Sequence, residues 1–136
     1  MSIAFDADVL IYAASQHPLG AGVAKLFASA GDDPVGIGSV LLLAEVLAKP
    51  MRADPDSTEV RALLSLLGHL ELRPFDEPTA RLSLALAMSY GLRAADAMHL
   101  ATAVASGAEQ FLTNNRKDFP KTIEEVEVIY PSELAI

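Results

Sequence analysis

The sequence contains no cysteine. That excludes disulfides, thiol nucleophiles and zinc–thiolate sites, and makes a reducing cytoplasm the default compartment. Positive charge is also scarce: ten Lys and Arg stand against eighteen Asp and Glu, a net charge of −8. A constitutive nucleic-acid binder usually shows the opposite balance. Long hydrophobic runs are missing, since stretches such as "SVLLLAEVLA" (39–48) are too short and too charged to span a bilayer. The chain opens on a strand-like segment without a basic region, a long apolar stretch or a small-residue cleavage site, so no secretory signal is expected. Repeats, low-complexity tracts and linkers are absent as well. What remains is a chain of 136 residues, 51% hydrophobic, which is expected to fold as a single domain over 1–136 with its own core.

Short β-like runs alternate with helical patterns, the mark of an α/β domain with a largely parallel sheet of about five strands. The strands are expected at Ile3–Phe5, 35–38, 70–75, 109–113 and 126–130, the third at an edge because it contains Pro74. Helices are expected near Asp8–Ser15 and Leu19–Ala30. A third runs from Ser39 as N-cap to Ala48 and is stopped by Pro50, and a fourth starts near Asp56 or Ser57. Two more cover Pro78–Tyr90 and Ala94–Ser106, ended by Gly91 and Gly107. Such a sheet places a site at the carboxyl ends of its strands, where strand order reverses.

Three acids stand in apolar surroundings. Asp6 ends the first strand in "IAFDADVLIY", Glu45 lies about two turns into the helix of "SVLLLAEVL", and Asp96 opens the Ala-rich helix of "LRAADAMHLATAVA". An ionised carboxylate buried without a partner costs several kcal/mol. Singly, Glu45 can pair with Lys49 at i+4 and Asp96 can be a first-turn acid favoured by the helix dipole. Together they point to a cation. Two carboxylates about 4 Å apart repel by roughly 4 kcal/mol at an effective dielectric near 20, so three share a cleft only around positive charge. Oxygen donors without Cys, and with no His among them, favour Mg2+ or Mn2+ over zinc.

"IAFDADVLIY", "SVLLLAEVL", "LRAADAMHLATA" and "FLTNNRKDF", in that order and over nearly the whole chain, resemble the motif set of PIN-domain nucleases, most nearly the VapC-type toxins of bacterial toxin–antitoxin pairs. The resemblance implies a three-layer α/β/α PIN-like domain and Mg2+-dependent (or Mn2+-dependent) endoribonuclease activity leaving 5′-phosphate and 3′-hydroxyl ends. It implies Asp6, Glu45 and Asp96 as metal ligands, an RNA substrate, a cognate antitoxin protein and a homodimer. Asn115 takes the family's fourth acidic position, where it brings an oxygen but no charge, and Asp118 is a candidate substitute or a turn acid. Ala7 and Asp8 replace the usual hydroxyl and Asn or Ser, so Asp8 can supply charge that Asn115 withholds. Thr113 and His99 are candidates for an outer layer around the ligands, His99 alternatively a polar edge of the core. Arg52, Arg93, Arg116 and Lys117 are candidate phosphate contacts. The apolar helices at 19–30 and 57–67 are expected to offer surface to the dimer partner and the antitoxin.

Two other readings compete. One is a catalytically quiet PIN-like domain that binds RNA or a protein, suggested by Asn115 and Ala7. The other is a haloacid-dehalogenase-like phosphatase with Asp6 as nucleophile and Asp8 as acid/base, which leaves Glu45 and Asp96 unexplained.

Overall fold

The computed structural model describes residues 2–134. Five short strands, β1 (Ile3–Phe5), β2 (Gly36–Ser39), β3 (Leu70–Arg73), β4 (Gln110–Leu112) and β5 (Glu127–Ile129), form one sheet in the order β3-β2-β1-β4-β5. Every pairing is parallel, and β1 aligns Ala4 with Ile37 of β2 and with Phe111 of β4. Six helices cover the sheet: α1 (Ala7–Ala14), α2 (Ala21–Ala28), α3 (Leu42–Ala53), α4 (Thr58–Gly68), α5 (Glu77–Tyr90) and α6 (Ala94–Ala105).

The period-2 alternation of the strands divides the core. Ala4, Phe111 and Val128 face a cluster with Leu86, Leu100 and Ala101 of α5 and α6. Their neighbours Phe5, Leu112 and Ile129 face the opposite cluster, with Val9 and Leu10 of α1, Val46 of α3 and Leu63 of α4. The result is the expected three-layer α/β/α arrangement, with α5 and α6 on one face and α1–α4 on the other.

Most expected elements lie where the patterns put them, including β3 at an edge. Gly91 ends α5 in the left-handed region at φ 65°, which glycine adopts without Cβ strain. The second expected helix divides into a 3-10 turn at Pro18–Gly20 and α2, which ends at Ala28.

The clearest departure concerns α3. Ser39 is not its N-cap: it closes β2 and accepts a hydrogen bond from Leu41 N–H at 3.1 Å, and the helix starts at Leu42. Glu45 therefore lies in the first turn rather than two turns in. Pro50 does not stop the helix either. A proline forfeits its own N–H bond and crowds the carbonyl four residues back, but the carbonyl of Pro50 still accepts from Asp54 N–H at 2.9 Å, and one more turn runs to Ala53.

Strand β1 lies between β2, which leads outward to β3, and β4, which leads outward to β5. The crevice between the carboxyl ends of β1 and β4 is the topological switch point of the sheet.

Candidate active site

Asp6 occupies that crevice. The chain leaves β1 in an extended conformation, so the Asp6 side chain caps α1 and its Oδ1 accepts Ala7 N–H at 2.8 Å. Oδ2 accepts the hydroxyl of Thr113, which ends β4, at 2.7 Å. Thr113 is fully buried, and its oxygen also accepts Asn115 N–H at 3.0 Å. With Asp6 N–H donating to Leu112 O at 3.0 Å, the carboxylate is strapped across two strands. In the first turn of α1, Asp8 Oδ2 accepts Asn114 N–H at 3.0 Å. Among the described residues its Oδ1 is buried with no hydrogen-bond partner.

Two helices from opposite layers bring the remaining groups. Glu45 of α3 directs Oε2 at Nε2 of His99, a buried residue of α6, and no ion pair joins Glu45 to Lys49 among the described residues. Asp96, half-buried, stands in the first turn of α6. Asn115 is turned to its own loop: Nδ2 donates to Asp118 Oδ2 at 3.0 Å, and Oδ1 accepts Asp118 N–H at 3.3 Å.

These groups act on one another electrostatically. Burial pushes the pKa of Asp6 up; the Thr113 hydrogen bond and the His99 charge oppose that, and Glu45 adds to it. Burial and then the charge of Asp6, with a contribution from Asp96, raise Asp8 to about 7 against the hydrogen bonds from Asn114 and Val9. Asp96 is raised by burial and then by the charges of Asp6, Asp118 and Glu45. His99 is also raised: burial lowers it, but the hydrogen bond and charge of Glu45, with Asp6 and Asp96, outweigh burial. Acids separated by tens of residues thus act on one another in one region, where His99 is the charge that opposes them. Asp118, not Asn115, carries the negative charge in the loop after β4.

The candidate phosphate contacts divide by position. Arg93 immediately precedes α6 and is exposed, three residues before Asp96; Lys117 is exposed in the loop after β4. Arg52 lies two turns beyond Glu45, in the last turn of α3. Arg116 is engaged elsewhere, with its guanidinium 4.4 Å from the Tyr130 ring centroid and Nη2 donating to Ser132 Oγ at 2.9 Å. Neither Tyr130 nor Ser132 carries a sequence signal for that role. Nor does Asn114, whose backbone N–H binds Asp8, because a backbone donor works through chain geometry and not side-chain identity.

The donor chemistry fits a hard divalent cation: carboxylate oxygens from the junction of β1 and α1, from α1, α3 and α6, with one of them orphaned and buried. The donors are near rather than gathered. Among the described residues no three His, Cys, Asp or Glu side chains form a group that could hold an ion as they stand.

Large apolar side chains are exposed at Ile11, Val40, Leu43, Met51, Leu64, Leu84 and Met88. Of the two helices expected to present apolar surface, α4 contributes Leu64 to this set and α2 contributes none. The bulk of the exposed apolar surface is on α3, on α5 and in the turn that leads into α3.

A family model described as the PIN domain matches residues 3–125. Among solved structures, a chain of a toxin–antitoxin complex from Klebsiella pneumoniae is 28% identical with a TM-score of 0.74, covering 96% of this chain and 98% of that one. A chain of VapBC2 from Rickettsia felis, bound to a DNA fragment from its promoter, is 21% identical with a TM-score of 0.72 and the same coverages. A chain of DNA-bound VapBC from Salmonella typhimurium is 17% identical with a TM-score of 0.68, again covering 96% and 98%. No curated protein matches the chain.

Proposed function

The chain belongs to the PIN-domain family, and we propose that it is a Mg2+- or Mn2+-dependent endoribonuclease serving as the toxin of a toxin–antitoxin module. The observation that carries this reading is the closeness of buried and half-buried carboxylates at the switch point: burial raises Asp6, Asp8 and Asp96, and the charge of Asp6 raises Asp8 and Asp96 further, while Glu45 adds to Asp6 and Asp96. Repulsion of that kind is relieved by a doubly charged ion. The family match removes the phosphatase alternative.

In this reading Asp6, Asp96 and Glu45 hold the ion, and Asp8 adds charge. Asp118 supplies the charge that Asn115 lacks, while Asn115 fixes the Asp118 carboxylate through its amide. Thr113 keeps Asp6 oriented and favours its ionised form. Arg93 and Lys117, with Arg52 further out, take the phosphates. Arg116 serves mainly to hold its loop against Tyr130 and Ser132. When bound, the ion would polarise a phosphoryl oxygen and lower the pKa of a water for hydrolysis.

An antitoxin partner is supported by the Klebsiella pneumoniae structure, which is described as a toxin–antitoxin complex. A homodimer would cover part of the exposed apolar surface on α3 and α5. No helix among the described residues is long and apolar enough to cross a membrane, and a cytoplasmic location accords with the lack of cysteine.

The test is cleavage of a mixed RNA pool in Mg2+ and in chelator, with Asp96→Asn alongside. We expect cleavage in Mg2+ only. Asp96→Asn should lose at least the roughly 10- to 100-fold that disturbing even an outer partner costs at metal sites. RNA binding without cleavage under any divalent ion favours the quiet-domain reading, which the lack of charge at Asn115 and the ungathered donors support. Cleavage that persists in chelator overturns the metal mechanism.

A further inference from the structure

His99 lies on the buried face of α6. It is 3% exposed, and the following residues Leu100 and Ala101 are completely buried. Among the described residues Nδ1 is buried without a hydrogen-bond partner, so Nε2 makes the polar contact of the ring, to Glu45 Oε2. An imidazole that leaves one nitrogen orphaned in a core is a poor choice for packing alone. In either protonation state the proton must be on Nε2, because the other tautomer would set a lone pair against the carboxylate.

The partner is equally informative. Glu45 is a long side chain, 39% exposed, in the first turn of α3, and Lys49 stands four residues on along the same helix. Left to itself, its carboxylate could swing to Lys49 or into water. The contact with His99 instead ties α3, in one layer, to α6, which carries Asp96 in the other. It also keeps the Glu45 charge where Asp6 and Asp96 feel it.

We infer that His99 is a positioning residue, whose Nε2–H fixes the Glu45 carboxylate toward Asp6 and Asp96. The inference rests on the metal-site reading above and adds to it the device that aims one ligand. A ligand-aiming partner of this kind is ordinarily worth about 10- to 100-fold in metal affinity or activity.

The experiment compares the full chain with His99→Leu, His99→Gln and Asp96→Asn, reading Mn2+ affinity by calorimetry and thermal stability in chelator. Gln can place an N–H close to the position of Nε2, whereas Leu cannot. At pH 8, where the charged imidazole contributes least to stability, His99→Leu should melt close to the wild-type temperature yet bind Mn2+ about tenfold or more weakly, and His99→Gln should recover most of that affinity. In RNA cleavage the Leu variant should lose kcat with KM little changed. Wild-type Mn2+ affinity in His99→Leu, alongside a defect in Asp96→Asn, overturns the positioning role and leaves the metal site standing. If the wild-type chain does not bind Mn2+, the metal-site reading fails and this inference with it. Should His99→Leu not fold, 15N spectra of the metal-free wild type and of Glu45→Ala decide the matter. The hydrogen-bonded Nε2–H signal should shift on loss of Glu45, and an unchanged signal overturns the contact.

Discussion

A hydroxyl shared between a carboxylate and a backbone N–H makes Thr113 the most exacting single position of the site. It donates to Asp6 Oδ2 and accepts from Asn115 N–H, all in a fully buried setting. Thr113→Val keeps the shape and removes both bonds, leaving a buried carboxylate oxygen and a half-buried N–H short of partners. Leaving such groups unsatisfied costs about 1–3 kcal/mol. The Thr113 bond lowers the pKa of Asp6, so its loss moves Asp6 further up and weakens competition of metal against protons. Urea unfolding should therefore show Thr113→Val destabilised by about 1–3 kcal/mol, with Thr113→Ser much closer to wild type. Equal stability for Val and Ser would mean that the hydroxyl does not brace Asp6. In the sequence, Thr113 reads equally as a ligand contact or as a residue with β-propensity, because nothing local reveals a partner 107 positions away. The same holds for Glu45, whose local options suggest Lys49 while the fold supplies His99. The acids themselves were legible, since a lone charge in an apolar run is visible without any structure.

Elements were legible where periodicity decides and obscure where a single residue was given too much authority. The strands follow from short β-like runs between helical patterns, and α4 from Val60, Leu63, Leu64 and Leu67 at helical spacing, of which all but Leu64 are buried. The errors cluster on α3. Proline costs a hydrogen bond and a clash with the carbonyl four residues back, but a helix whose face buries Leu42, Val46 and Leu47 absorbs that loss and continues for a turn. Glycine raises the converse problem, because its reason for being present is invisible in sequence. A Cβ added at Gly20 would stand 2.3 Å from the Tyr12 carbonyl carbon and 2.4 Å from Ala13 N, in the backbone of α1. At Gly68, the last residue of α4, it would meet nothing within 4 Å. Gly20→Ala should thus push the Pro18–Gly20 turn off α1 and cost about 1–3 kcal/mol or more. Gly68→Ala should be stabilising by up to about 0.5–1 kcal/mol through reduced chain entropy. Thermal melts of the two variants side by side check both signs. A neutral Gly20→Ala would show that the turn moves aside without penalty.

At the scale of the whole molecule, the concentration of acids at one end of the sheet should be readable in its pH dependence. Asp6 and Asp96 are raised above their ordinary value and Asp8 stands at about 7. A carboxyl raised in the folded state binds more protons there than in the unfolded chain. Its contribution to stability therefore falls as pH climbs from the ordinary value towards the folded one. His99, also raised, contributes stability that is lost as pH rises through its folded value, which is the same direction. The lowered groups, Asp76 with its Thr79 hydrogen bonds and Glu133 with its Lys121 bond, act only at acid pH, below their ordinary carboxyl values. Between pH 6 and 8 the raised set governs. In chelator the melting temperature should fall as pH rises from 6 to 8. Asp8→Asn should flatten that slope and melt higher than wild type in chelator at pH 8, because it removes the buried charge. Mg2+ competes with protons for these oxygens, so it should raise the melting temperature more at pH 8 than at pH 6. A metal-free chain that grows more stable towards pH 8, or an Asp8→Asn variant less stable than wild type there, would mean that the crevice does not hold unrelieved charge, and the case for a cation in it would lose its physical basis.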